Sequence, residues 1–145
     1  MKRIIYLILV ILWLSVIFIF SNQSGEESGN TSKKLIINII NVYEKITNSE
    51  VDRDIVIEKM QYPIRKLAHF TEYFILGILM FLFINTYNIK NKLLITIGLC
   101  FLCASFDEIH QIFSENRGPS IIDVFIDTFG SIVSSSIINL IVKRR

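Results

Sequence analysis

The chain has 145 residues, of which 52 % are hydrophobic and only 19 % charged, and its formal net charge is +2. This length allows one compact domain, and the composition is too apolar for an ordinary soluble domain, so it predicts an integral membrane protein. The small net charge, without a basic stripe of interleaved aromatic residues, excludes a nucleic-acid-binding protein. Cys100 and Cys103 lie in an apolar run, which favours buried packing residues over a disulfide.

The first predicted element is an apolar run at residues 4–20, preceded by Lys2 and Arg3. At 1.5 Å per residue it spans about 26 Å, which is enough to cross a membrane. The SNQSG sequence that follows has no small-x-small cleavage site. We therefore expect an uncleaved first transmembrane helix rather than a signal peptide.

A polar segment follows at residues 21–63 and starts with the sequence SNQSGEESGN, where helix propensity is poor. Thr31 or Ser32 is expected to cap an amphipathic helix that covers the bundle or lies along the membrane surface. Its apolar face at helical spacing comprises Leu35, Ile36, Ile39, Ile40, Tyr43 and Ile46. A shorter helix is expected over residues 51–61, and Pro63 is expected in the first turn of the next helix, where its missing N–H is harmless.

Three further apolar runs, at residues 64–87, 93–113 and 121–142, are joined by the short links NIKNK and SENRGPS. Short links place consecutive helices antiparallel and adjacent. The predicted fold is therefore an all-α integral membrane protein. It has four transmembrane helices in one domain over residues 1–145, with a helical extracytoplasmic segment between the first and second.

The basic residues outside the polar segment predict the orientation, since positively charged links face the cytoplasm. In a four-span topology three clusters share one side: Lys2 and Arg3, Lys90 and Lys92, and Lys143, Arg144 and Arg145. We therefore expect a protein of the plasma membrane with both termini in the cytoplasm and residues 21–63 outside.

Polar residues that membrane helices seldom carry gather at one depth in this topology. A charge within hydrocarbon costs at least about 2.5–3.5 kcal/mol, so such residues are expected to serve a site. They are Arg65, Lys66, His69 and Glu72 in the second span; Asp107, Glu108, His110 and Gln111 in the third; Asp123 and Asp127 in the fourth; and Arg117 in the turn between the last two. All fall at the outer ends of their spans, which predicts an outward-facing polar pocket.

Helical spacing sharpens this pocket, because residues three or four apart share a helix face. The pairs and triplets on shared faces are Arg65 with His69 and Glu72, Asp107 with Gln111, and Asp123 with Asp127. Tyr73 and Phe106 are expected to line the walls of the pocket. Three polar stripes that meet inside a bundle would be shielded from lipid.

The combined motifs resemble the VanZ-like family of membrane proteins. They are Arg-Lys-x-x-His-Phe-x-Glu-Tyr at 65–73, Asp-Glu-x-x-Gln at 107–111, Arg117 with Gly118, Asp-x-x-x-Asp-x-x-Gly at 123–130, and FSNQSGEES after the first span. His110 lies outside them. The resemblance covers essentially the whole chain. It implies a small membrane protein of the bacterial cell envelope, related to one associated with glycopeptide (teicoplanin) resistance.

Three functions remain open for the polar pocket. As a binding site, it would hold an anionic lipid head group or a peptidoglycan precursor. Drug tolerance needs no catalysis, which favours a binding site over an enzyme. The ligand-binding candidates are Arg65, Lys66, Glu108, Gln111, Arg117 and Asp127, with the arginines gripping the anion.

As an enzyme, the pocket would use paired carboxylates for acid/base chemistry on a lipid head group or cell-wall precursor. The candidate catalytic residues are His69, Glu72, Asp107 and Asp123. A His/Asp/Glu cluster can also hold a divalent metal, but no HExxH-type pair is present. We therefore assign no metal ligand, and no cofactor is indicated.

In a purely structural role, the polar residues would hold the helices of the bundle together through buried ion pairs. Arg65 and Arg117 would then pair with Asp107, Asp123 and Asp127. Glu108 and His110 would point at water.

Overall fold

The computed structural model describes residues 1–112 and 120–144. The helices of this part are α1 (Lys2–Ser21), α2 (Gly25–Thr47), α3 (Arg53–Asn85), α4 (Lys92–Gln111) and α5 (Ile121–Lys143). Of these, α1, α3, α4 and α5 are each long and apolar enough to cross a membrane. The predicted all-α membrane fold with four spanning helices is confirmed. Both cysteines are free thiols.

α1 packs antiparallel to α3. Near the start of α1, Arg3 donates from Nε to the carbonyl oxygen of Thr86 at 3.2 Å, beyond the end of α3. Further along, Trp13 donates from Nε1 to the carbonyl oxygen of Glu72 at 2.8 Å. The bundle thus has two distinct ends. We call the end near Met1, Thr86 and Lys143 the terminal end, and the opposite one the α2 end.

α2 begins at Gly25, so the predicted start near Thr31 or Ser32 is wrong. The cause is a capping box at the start of the helix. The backbone N–H of Glu27 donates to Oγ of Ser24 at 3.1 Å, and that of Ser24 donates to Oε2 of Glu27 at 3.0 Å. These bonds satisfy amide groups at the helix start and outweigh the poor helix propensity of the Gly/Ser-rich sequence.

Only part of the predicted apolar face of α2 packs on the bundle. Ile36 and Ile40 are buried, whereas Leu35, Ile39 and Ile46 remain about half exposed or more. α2 therefore covers the bundle with a narrow stripe and leaves a second apolar stripe uncovered by the described residues.

Pro63 lies inside α3 and not in its first turn, so that prediction is also wrong. The helix starts at Arg53, where Oδ1 of Asp52 accepts from the backbone N–H of Ile55 at 3.2 Å. A proline in a helix interior costs about 3 kcal/mol. Packing against α2 offsets this, and Nε2 of Gln61 donates to the carbonyl oxygen of Gly29 at 3.3 Å.

Small residues let α3 and α5 approach closely, as is typical of membrane helix pairs. A Cβ atom on Gly130 would stand 2.5 Å from the carbonyl oxygen of Phe70. A Cβ on Gly77 would stand 2.8 Å from the Ser131 backbone. This close crossing brings the polar turns of α3 and α5 together at the α2 end.

Candidate functional site

The polar residues of α3 and α4 line a cavity of about 210 Å³ at the α2 end, here called the polar cavity. Arg65, His69 and Glu72 contribute from α3, as their spacing predicts, and Asp107 contributes from α4. The remaining wall comes from α1, α2 and their link, through Phe20, Ser21, Gln23, Ser28, Thr31 and Ser32, and from Ala68 of α3. α2 therefore forms part of the wall of the polar cavity.

Arg65 brings a permanent positive charge to the polar cavity. Its guanidinium forms no ion pair within 4.0 Å with any described residue. Arginine presents a planar fork of donors that suits carboxylate or phosphate groups. An anion that reaches the cavity would find this fork available.

A second group, here called the buried cluster, comprises His69, Glu108 and Asp127. It adjoins the polar cavity through His69, which also lines that cavity. The relative exposures of these three residues are 8 %, 3 % and 0 %. One potential ligand atom from each residue lies within 4.8 Å of the other two. Each residue comes from a different membrane helix, so the cluster exists only when α3, α4 and α5 are packed together.

Several side-chain nitrogen and oxygen atoms of the buried cluster lack a hydrogen-bond partner among the described residues. Nδ1 of His69 lies 3.5 Å from Oδ1 of Asp127, which is long for a hydrogen bond. That nitrogen, Oε1 of Glu108 and both carboxylate oxygens of Asp127 have no hydrogen-bond partner among the described residues. The other oxygen of Glu108 accepts from the backbone N–H of Ser120 at 2.6 Å. Unpaired buried polar atoms of this kind are rare.

Lys66 pairs with Asp123 and so links α3 to the start of α5. The predicted structural pairing of Arg65 with Asp123 or Asp127 is therefore wrong, because Lys66 occupies Asp123 and Arg65 faces the polar cavity. Glu108 is buried rather than directed at water, which corrects that expectation too.

The other predicted residues fall at the edges of the site. Gln111 is buried and donates from Nε2 to Oδ2 of Asp107 at 3.1 Å, as their spacing suggested. The ring of His110 packs against that of Phe18 with centroids 4.7 Å apart. Arg117 and Gly118 lie outside the described residues.

An apolar groove of about 480 Å³ runs between α1 and α4 beside the polar cavity. Its lining is Leu14, Ile17 and Phe18 of α1, Tyr73 of α3, and Cys103, Phe106, Asp107, Ile109 and His110 of α4. The expected walls Tyr73 and Phe106 thus line this groove and not the polar cavity. Asp107 lines both spaces, so the polar cavity and the apolar groove adjoin at this residue.

The sequence model of the VanZ/LLP1 family matches residues 6–142, nearly the whole chain. The chain belongs to the VanZ/LLP1 family. The match confirms the resemblance seen in the motifs. No curated protein and no solved structure is similar enough to be matched.

Sequence reasoning on this VanZ/LLP1 family protein missed two features of the site. The apolar groove depends on α1, although Leu14, Ile17 and Phe18 have the spacing of one helix face and could have indicated it. The buried cluster combines residues from three helices whose relative rotation no local motif reveals.

Proposed function

We propose that this VanZ/LLP1 family protein binds an anionic, lipid-linked component of the cell envelope at the α2 end. We further propose that this binding contributes to tolerance of teicoplanin-type glycopeptides. The observation that carries the proposal is the polar cavity with Arg65, joined at Asp107 to the apolar groove. This pair of spaces suits a ligand with an anionic head and an apolar chain.

The two volumes favour a lipid head group over the antibiotic itself. Pockets for drug-sized ligands usually measure about 300–1,000 Å³. The polar cavity, at about 210 Å³, has room for a phosphate or carboxylate group with a few neighbouring atoms. A glycopeptide, with its cross-linked rings and sugars, is far too large for it. The larger apolar groove suits an acyl or prenyl chain.

The depth of the site agrees with the head-group layer. His69 precedes the end of α3 at Asn85 by 16 residues, or about 24 Å of helix. A hydrocarbon core is about 30 Å thick. If Asn85 lies at the interface of the terminal end, His69 lies within about 10 Å of the opposite interface.

The basic residues support an outward-facing site. Arg3 bonds the carbonyl oxygen of Thr86, and Lys92 donates from Nζ to Oδ1 of Asn85 at 3.0 Å. Two of the three predicted cytoplasmic clusters therefore meet at the terminal end. By the positive-inside rule the polar cavity then opens to the outer leaflet.

The test is teicoplanin susceptibility of cells that express the wild-type chain or Arg65→Gln at equal membrane levels. We expect Arg65→Gln to lose the tolerance, because the amide cannot neutralise an anion. The matched control is Arg53→Gln, which changes an arginine of the same helix that lies outside the cavity and pairs with Glu44. Tolerance that survives Arg65→Gln in full, or that the wild type does not confer, would contradict the proposal.

A membrane-embedded enzyme is the second candidate, and the position of His69 favours it. Nδ1 of His69 faces Asp127, while the same side chain lines the polar cavity. If the 3.5 Å between Nδ1 of His69 and Oδ1 of Asp127 closes to hydrogen-bond distance, Asp127 would orient one imidazole nitrogen and leave the other for proton transfer, as in catalytic triads.

Asp107→Asn separates the two candidates, because it keeps the shape of Asp107 and removes its charge and proton transfer. If Asp107→Asn retains tolerance, acid/base catalysis by this residue is excluded. Mass spectrometry of lipids incubated with the purified wild type gives a direct readout. An enzyme changes the mass of its ligand, whereas a binding protein returns it unaltered.

A further inference from the structure

We propose that the buried cluster of His69, Glu108 and Asp127 is a binding site for a divalent transition-metal cation. The proposal is independent of what occupies the polar cavity. It rests on the distances within the cluster and on its buried, unsatisfied atoms.

The distances suit a shared cation better than direct hydrogen bonds. Metal–ligand bonds of about 2.0–2.3 Å place neighbouring ligand atoms roughly 3–4.5 Å apart. The ligand atoms of the buried cluster lie within 4.8 Å of one another, and the nitrogen–oxygen distance between His69 and Asp127 is 3.5 Å. Hydrogen bonds would need about 2.7–3.2 Å. Small side-chain adjustments would bring all three atoms onto one ion.

Burial makes a compensating charge necessary. Asp127 is completely buried, and neither of its carboxylate oxygens has a hydrogen-bond partner among the described residues. Oε1 of Glu108, directed into the same cluster, is unpaired in the same sense. Two buried carboxylates beside one imidazole require either bound protons or a cation, since unpaired buried charges are strongly disfavoured.

Lys66 does not compensate the buried cluster, because it is already paired with Asp123. Among the described residues, no lysine or arginine forms an ion pair within 4.0 Å with Glu108 or Asp127. A divalent cation would supply the positive charge that these two buried carboxylates lack.

The ligand set indicates which ions fit. Imidazole nitrogen suits Zn²⁺ and other first-row ions such as Fe²⁺ and Ni²⁺, whereas Mg²⁺ and Ca²⁺ prefer all-oxygen sites. Three protein ligands leave at least one coordination position for water or another ligand. Because His69 also lines the polar cavity, that position is expected on the cavity side.

The experiment is titration of the metal-free protein in detergent with Co²⁺, whose visible absorption reports ligand binding, on protein purified without a polyhistidine tag. We expect one Co²⁺ per chain. His69→Gln, Glu108→Gln and Asp127→Asn should each weaken binding at least about tenfold, since even substitutions beyond the ligands cost about 10–100-fold. The control Glu58→Gln removes an exposed carboxylate of α3 outside the cluster and should bind Co²⁺ nearly as tightly as the wild type.

Two results would overturn the proposal. One is a wild-type protein that takes up no Co²⁺ or Zn²⁺ at about 1 mM, a concentration at which even weak sites fill. The other is binding that all three cluster variants retain. Size-exclusion profiles and helix content by circular dichroism identify any variant that fails to fold, and the wild-type titration decides the question without the variants.

Discussion

The two halves of the bundle handle buried polar groups in different ways. In the middle of α5, Ser131, Ser134 and Ser135 are completely buried, and each hydroxyl donates to a carbonyl oxygen of its own helix at 2.6–3.2 Å. At the α2 end, Glu108 and Asp127 are equally buried, yet oxygens of both lack a partner among the described residues. The serines let helices pack closely, while the carboxylates leave interaction capacity unused.

We interpret this difference as one between polar groups that serve helix packing and polar groups that are available to a ligand. Hydroxyl groups satisfied within their own helix add little cost and give a small surface for α3 to approach. Carboxylates without partners destabilise the bundle and persist where a ligand compensates for them. Each of the following predictions changes one side of the comparison.

The largest effect is expected at the α3–α5 crossing. Gly77→Val would place a side chain against the Ser131 backbone, where even a Cβ would stand at 2.8 Å, and should cost about 3 kcal/mol or more of stability. The measurement is thermal unfolding in detergent together with the membrane level of the protein. The control is Gly98→Val on α4, where an added Cβ meets no atom within 4 Å. Equal losses for both variants would contradict the close crossing.

A smaller loss is expected when the bridge between α3 and α5 is broken. Lys66→Gln leaves Asp123 largely buried without its partner, and should cost about 2 kcal/mol. The double variant Lys66→Gln/Asp123→Asn should recover most of that loss, because no uncompensated charge remains. A double-mutant cycle measures the coupling. Additive losses would show that the two side chains do not interact.

Asp127→Asn should have the opposite sign. In chelator-treated protein we expect it to raise the unfolding free energy by about 1–2 kcal/mol, because it removes an unpaired buried charge. Ser131→Ala, one helical turn further along α5, should leave the unfolding free energy nearly unchanged. A destabilised Asp127→Asn would mean that the carboxylate is already satisfied within the protein.

The smallest effect is expected at the surface pair of Glu44, near the end of α2, and Arg53, at the start of α3. The hydrogen bond from Arg53 lowers the pKa of Glu44 below its ordinary value of 4.5. A lowered pKa adds stability above the unfolded-state value, and this contribution disappears as the pH falls through the folded-state value. At neutral pH, the melting temperature of Glu44→Gln should therefore lie slightly below that of the wild type. At strongly acidic pH, the two melting temperatures should be equal. A difference that grows on acidification would contradict this assignment.

The sequence predicted the four spanning helices because long apolar runs have few alternatives in a membrane protein. It also indicated residues that line the polar cavity, since Arg65, His69 and Asp107 stand out in apolar helices. The predicted starts of α2 and α3 were wrong for a common reason. Local helix breakers, the Gly/Ser-rich link and Pro63, were outweighed by capping at Ser24 and by packing of α2 on α3.

The inward position of Glu108 could not be derived from spacing. Asp107 and Gln111 define one face of α4, and Glu108 lies beside that face, where it could equally have pointed to lipid, water or protein. Its burial depends on the arrival of α5, whose Ser120 N–H bonds it. Tertiary packing, and not the local pattern, therefore creates the buried cluster.

The most direct test of the proposed function is the lipid content of the protein purified in mild detergent, measured by mass spectrometry for the wild type, Arg65→Gln and Arg53→Gln. The proposal predicts an anionic lipid bound to the wild type and to Arg53→Gln and lost from Arg65→Gln, because Arg65 lines the polar cavity and Arg53 does not. The same anionic lipid at the same occupancy in all three proteins would contradict it.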